Sequence, residues 1–598
     1  MSRYALNWDL DSILPKPSTP DFDLIVEGYR SSFSALAQKS EKLPALSAGA
    51  ATWVPLLQEF ERLESLAGDL NSFIGCCAAG DAGNKQYRQI EGALSALEPL
   101  RERVYTNLEF AFRDASEEEF ESFVGGDPWL KANAFFLNQR RRNSQMRLPK
   151  GEETLAADLA VDGIHAWGRL YDRLSGDLRI AVMEKGVVVE KSPGQIRFDS
   201  AERSVRENNF YAADKAWKSV ADSCADALNH IAGTRLTLYR RLGLRDHLDM
   251  PLHRNRLQRA TLEAMWSAVT ARKGMLQKYF EAKSRLLGLK KLSWFDTQAP
   301  LPQAVEPGKS AEINFDDGAD LVVRTFAGFS PDLGDFAKLT LQQRWIEAEN
   351  RSGKRQGAFC TGFPTKKESR VFMTFTNSHD NVSTLAHELG HAYHSWVLKE
   401  QPLFHQDYPM NLAETASTFA EAVLAEHRLR ETPSKAEKLS ILDHMLSDAV
   451  AYLMNIHARF LFEDRFHQER AAGELSAGRL SELMLAAQKE AYQGALADDG
   501  WYPDFWVSKL HFYISSLPFY NFPYTFGYLL STGLYALGTE AGAGFPDQYR
   551  RLLIATGCME TEPAVKSSVG YDLTGPDFWS KSLDVIERRV GQFLELAG

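Results

Sequence analysis

A mostly helical protein with one small sheet beside its chemistry is the fold class this sequence predicts. Apolar residues recur at three- and four-residue spacing over long stretches, and strand-like runs are few. One of those runs ends about ten residues before a histidine-containing helical segment, close enough to place sheet and helix side by side. The helical pattern is clear from Val54 through Ile74 and again from Asp214 through Leu242. The first strand-like region, Leu178 to Phe198, holds Arg179-Ile180-Ala181-Val182, a Lys185-Gly186 turn and Val187-Val188-Val189, which predicts a hairpin. A soft boundary follows near residue 200, dividing an N-terminal helical domain, 1–200, from 201–598. The second run is Ser369-Arg370-Val371-Phe372-Met373-Thr374-Phe375-Thr376, β-branched and aromatic. Asn377 to Asp380 supplies a turn after it, and Asn381 or Ser383 is expected to cap the next helix.

Composition narrows the function classes. At 598 residues the chain exceeds one small core, and 44% hydrophobic with 25% charged residues is ordinary for a globular protein. With 68 Lys and Arg against 79 Asp and Glu the net charge is −11. An acidic surface repels phosphate backbones and anionic lipid, so neither nucleic acid nor a membrane is an expected partner. The five cysteines (Cys76, Cys77, Cys224, Cys360 and Cys558) are few and unevenly spaced, which argues against a disulfide framework and for a reducing compartment. Met1 to Asp9 lacks the basic start and apolar run of a signal peptide. The most apolar late stretch, Phe522 to Gly538, is broken by Pro523, Thr525, Ser531 and Thr532 and is shorter than the about 20 residues a bilayer span needs. A cytoplasmic location is expected.

The chemistry is concentrated in His387-Glu388-Leu389-Gly390-His391. On a helix, residues four apart lie about 40° apart around the axis and about 6 Å along it, so both imidazoles can face one ion. Neutral imidazole suits Zn²⁺, and a catalytic zinc takes three protein ligands with one position left open. Glu388, beside the first histidine, can take the proton of an attacking water. A third ligand by the metzincin pattern would need glycine and histidine where this chain has His394 and Val397. The remaining route is a glutamate on a second helix, which Asn411 to Ala422 predicts. Glu414 and Glu421 lie seven apart on one face of it; Glu414 is the expected third ligand and Glu421 the expected support for a ligand histidine. His394 lies about 4.5 Å along the axis beyond His391. It is a poor fourth ligand and a better substrate or packing residue. Co²⁺ or Mn²⁺ could occupy the same donors.

These residues resemble the M3 family of metallopeptidases, the thimet oligopeptidase and oligoendopeptidase F group. The resemblance rests on His387 to His394, on Glu414-Thr415-Ala416-Ser417-Thr418-Phe419 and on Glu421. It extends to Lys354 through Cys360, Phe372 to Phe375, Trp294-Phe295-Asp296 with Ala299-Pro300-Leu301, and Trp8-Asp9-Leu10. Glu-Thr-Ala-Ser-Thr places the chain nearer the oligoendopeptidase F branch. The resemblance implies a mostly helical, two-lobed shell around a deep substrate channel with zinc on its floor, beside which the strand-like run would place the small β-sheet. It implies endopeptidase action on short peptides, with folded proteins excluded by the channel.

Peptide hydrolysis passes through a tetrahedral oxyanion that needs hydrogen-bond donors besides a metal. The resemblance implies that His511, Tyr520 and Tyr524 supply them, while Tyr528 is a candidate without a role. Phe512, Phe519, Phe522 and Phe526 read as aromatic core. The strand near 370–376 is expected to pair an exposed edge with the substrate backbone, and Gly357 and Ala358 to add main-chain contacts. A helical zinc carboxypeptidase shares the motif, and a catalytically inactive peptide-binding protein is the reading from another class. Oligomeric state is left open.

Overall fold

The helical period found in the sequence carries through most of the computed structural model, which describes residues 3–302 and 312–598. In the Ala50–Gly80 helix, Trp53, Leu57, Phe60, Leu63, Ala67, Leu70 and Ile74 form one buried face at three- and four-residue spacing. The Asp214 to Leu242 stretch belongs to two helices, Arg203–Lys218 and Ala221–Arg241. The apolar period runs on across the break, so periodicity alone does not reveal it. Among the described residues no helix is long and apolar enough to cross a membrane.

Two compact units interleave along the chain. The first comprises Met1–Arg147, Ala311–His427 and Leu537–Gly570; the second comprises Leu148–Ser310, Arg428–Ala536 and Tyr571–Gly598. Compactness in space thus divides the chain after Arg147, His427, Ala536 and Gly570 as well as near residue 310. In the first unit, Phe33, Trp53, Phe60 and Phe112 form a core that takes in Phe363 and Phe404 from the later segment. Phe404 stacks on Phe136 with centroids 3.9 Å apart, so aromatic burial ties that segment to the N-terminal helices. In the second unit, Asp296 is fully buried and bonded to Arg206 at 2.7 Å. The Trp294–Asp296 turn is thereby anchored by a paired internal charge.

Five strands are described: β1 (Ile180–Glu184), β2 (Val187–Lys191), β3 (Ile346–Glu347), β4 (Phe359–Phe363) and β5 (Glu368–Phe372). β1 and β2 are the predicted hairpin, turning through Lys185 and Gly186, both at positive φ as a tight two-residue turn requires. The other three form one sheet in the first unit, in the order β3-β5-β4. β5 is central: it runs antiparallel to β4, with Val371 opposite Cys360, and parallel to β3. Beyond it, Met373 N and Phe375 N donate to Glu347 O and Ala348 O. The expectation of an exposed edge is therefore corrected for Arg370 to Phe372, which are bonded on both sides, whereas from Met373 onward the strand bonds run to the β3 side. β3 and β4 are the sheet's two edge strands.

The His379–Leu398 helix follows, packed against β4 and β5. Asn377 turns the chain at φ 59°, and Ser378 caps the helix by accepting from Asn381 N at 3.2 Å. Neither Asn381 nor Ser383 is the cap. Asn381 instead accepts from Thr376 N at 2.6 Å, tying the helix start back to the strand. Leu385, Ala386, Leu389 and Ala392 are buried, which turns His387 and His391 to the opposite side.

Gly390 lies against the backbone of the Thr415–Glu431 helix. A Cβ at this position would stand 2.6 Å from both Ala416 O and Ser417 Cα. Gly390→Ala should therefore push the two helices apart, costing about 1–3 kcal/mol as overpacking does. Thermal unfolding of the variant beside the parent measures this, and an unchanged midpoint would contradict the tight approach.

Candidate active site

The first two candidate ligands stand one helical turn apart on a single rigid element. The third arises from a break. Sequence periodicity predicts one helix across Asn411 to Ala422, but the chain forms a short turn, Met410–Ala413, and begins again at Thr415. Glu414, at φ −88° and ψ 6°, sits between them. Its carbonyl accepts from Thr418 N at 3.1 Å and from Thr418 Oγ1 at 2.6 Å. Its carboxylate Oε2 accepts from Ser417 Oγ at 2.6 Å. These bonds hold the Glu414 side chain at the head of the helix. Ser417 was not singled out from the sequence, although its place three residues after Glu414 is the spacing at which a helix start lets two side chains meet.

His387 Nε2, His391 Nε2 and Glu414 Oε2 converge. The two imidazole nitrogens lie 3.2 Å apart, and the carboxylate oxygen lies 3.5 Å from His387 and 3.4 Å from His391. Zinc bonds of about 2.0–2.1 Å at tetrahedral angles need donor atoms about 3.3–3.4 Å apart. The triangle fits that requirement, and its donor set of two imidazoles and one carboxylate is one zinc accepts. Among the described residues this is the sole group of His, Cys, Asp and Glu able to hold a metal.

Glu421 stands behind the first ligand, with Oε1 2.5 Å from His387 Nδ1. A carboxylate there draws the ring proton to Nδ1 and turns the Nε2 lone pair to the triangle. Burial opposes protonation of His387, but Glu421, then Glu414 and Glu388, outweigh it and raise the imidazole to about 9. Burial would raise Glu414, yet its bonds to His391 and Ser417 and the charge of His387 bring it down to about 2. Glu388 is buried, and that burial is the main cause lifting its carboxyl above the ordinary range, against the opposing pull of His387 and His391. A carboxylate raised in this way is a better proton acceptor than one in water.

The remaining predicted residues fall into three groups. His394 has no exposed surface; its Nε2 is bonded to Thr556 Oγ1 at 2.9 Å and its ring stacks on Tyr408 at 4.0 Å. Gly357, at φ 96°, and Ala358 lead directly into the edge strand β4. His511, Tyr520 and Tyr524 belong to the second unit and form their own cluster there. His511 lies edge-on to Tyr520 at 4.8 Å, and Tyr520 lies 5.5 Å from Tyr524. Tyr528 is buried against Tyr452 instead. Phe512, Phe519, Phe522 and Phe526 are buried, as read from the sequence. Arg459 and Asn521, which bond in that cluster, were missed: 62 residues separate them and neither carries a motif.

Comparison with known proteins supplies the family. The model of peptidase family M3 matches residues 198–585, and the oligopeptidase F model matches residues 113–180. An oligoendopeptidase F homolog of Lactococcus lactis is 24% identical over 526 residues, covering 86% of this chain and 85% of that protein. Oligopeptidase PepF of Bacillus subtilis is 22% identical over 523 residues, covering 86% and 77%. The crystal structure of oligoendopeptidase-F from Enterococcus faecium shares the fold, with a TM-score of 0.71 at 19% identity over 96% of this chain and 99% of that one. With the first model spanning more than half of its length and a His-His-Glu metal-binding group in place, this chain belongs to peptidase family M3, in the oligopeptidase F branch, and is a metallo-oligopeptidase.

Proposed function

We propose that this chain is a zinc endopeptidase that hydrolyses internal bonds of short peptides. The observation that carries the reading is the ligand triangle of His387, His391 and Glu414 with the buried carboxyl of Glu388 on the same helix turn. A zinc ion held there supplies Lewis acidity towards the scissile carbonyl. Glu388 takes the proton from the attacking water and hands it to the leaving amine, a task suited to a carboxyl raised by burial. Glu421 keeps His387 in the tautomer that offers Nε2. The substrate backbone adds to the free edge of β4, next to Gly357 and Ala358, in place of the 370–376 run. Recognition through backbone hydrogen bonds gives broad tolerance of side chains. Tyr520 and Tyr524 are the proposed oxyanion donors, with His511 beside them on the substrate. His394 is assigned to packing, since its ring is enclosed by protein. The deep channel implied by the family would exclude folded proteins, and a cytoplasmic enzyme acting on peptides fits the acidic chain.

Glu388→Gln should retain zinc, measured by mass spectrometry of the purified protein, and lose on the order of 10²–10⁴ in turnover of a quenched fluorescent peptide. Undiminished cleavage with zinc bound would remove Glu388 from its role. The same peptide amidated at its C-terminus should be cut at internal bonds by the parent enzyme. Release of single C-terminal residues only, and none from the amidated form, would instead identify a carboxypeptidase. Glu421→Gln should weaken zinc about 10–100-fold in a chelator competition, with a smaller effect on unfolding of the metal-free protein.

A further inference from the structure

His511 lies in the Leu510–Tyr513 turn, Asn521 precedes the Phe522–Ala541 helix, and Arg459 projects from the Ile456–Arg470 helix. Asn521 Oδ1 is 2.7 Å from His511 Nδ1 and accepts from Arg459 Nη1 at 3.1 Å. A guanidinium has donors and no acceptor, so the Asn521 atom that faces Arg459 must be the oxygen. Rotating the amide would set its NH₂ against that donor. An amide oxygen only accepts, so the histidine nitrogen facing it must carry a hydrogen. The neutral ring of His511 therefore holds its proton on Nδ1 and a lone pair on Nε2. Burial first, then the charge of Lys509 and that of Arg459, outweigh the bond to Asn521 and hold the imidazole down at about 4, so the ring is neutral near pH 7. Arg459 is fixed in its turn over the Phe505 ring, 5.3 Å from the centroid, and has no ion pair among the described residues. His511 Nε2 makes no hydrogen bond among the described residues, and the side chain is only half-buried.

We infer that Arg459 and Asn521 are positioning residues that lock His511 in the Nδ1–H tautomer, so that His511 meets the substrate as a hydrogen-bond acceptor. The group it accepts is an amide N–H of the peptide backbone. The identity of the ligand rests on the proposed peptidase activity; the tautomer does not.

The tautomer is read from the ¹⁵N spectrum of enzyme labelled in the histidine rings, with His511 assigned by difference from His511→Phe. A protonated Nδ1 and a bare Nε2 near neutral pH are expected. Asn521→Leu should move the signals towards a mixture of tautomers, and Asn521→Asp, which keeps an acceptor at the same place, should restore the parent pattern. A protonated Nε2 with a bare Nδ1 in the parent overturns the inference, whatever the variants do. That measurement needs no turnover, so it stands apart from the Glu388→Gln result that decides the peptidase reading. The acceptor role is read with peptides N-methylated in turn at each amide flanking the scissile bond. One position should cost the parent about five- to tenfold in kcat/KM, the worth of one neutral hydrogen bond, and cost His511→Phe nothing further. Equal penalties in both enzymes at every position would overturn it.

Discussion

Two helices meet at Gly390 with no room for a methyl group between them, and the metal centre depends on that approach. With 2.6 Å separating a hypothetical Cβ from Ala416 O, any larger residue would move the Thr415–Glu431 helix away from the motif. Glu414 stands at the head of that helix and reaches the histidines only because the helix start is so close. Glu421, two turns further on, reaches the far side of His387 for the same reason. One backbone contact therefore sets both a ligand and the group that orients another ligand.

The same closeness concentrates charge. Glu421, Glu414 and Glu388 all act on His387 and raise its imidazole to about 9 against the effect of burial. His387, His391 and Glu414 would hold a divalent ion here, and its charge would offset the neighbouring carboxylates. Glu388 is the exception in this group because its shift has burial as the main cause, and it keeps the raised affinity for a proton that its proposed role requires.

Residue type and spacing made much of the architecture legible. The helical period, the Lys185-Gly186 hairpin, the His387–His391 pair and the glutamate 23 residues downstream could all be read because each depends on neighbours close along the chain. The errors have a common cause. The 369–376 run was recognised as a strand, yet its place at the centre of the sheet depends on Ile346–Glu347 and Phe359–Phe363, which pattern alone did not pair with it. The helix break at Glu414 was missed because apolar and small residues continue in helical register through it. The cap went to Ser378 when Asn381 was drawn to Thr376 instead.

The sequence by itself determined which side chains could hold a metal, which carboxyl could move a proton and which family those residues resemble, since these follow from chemistry at fixed spacing. Tertiary structure alone decided the separations of 3.5 and 3.4 Å between Glu414 and the two histidines, the edge position of β4, the enclosure of His394 and the tautomer of His511. Those properties belong to atoms far apart along the chain. Arg459 and Asn521 are 62 residues apart, and only folding brings Arg459 and His511 to the same Asn521 oxygen.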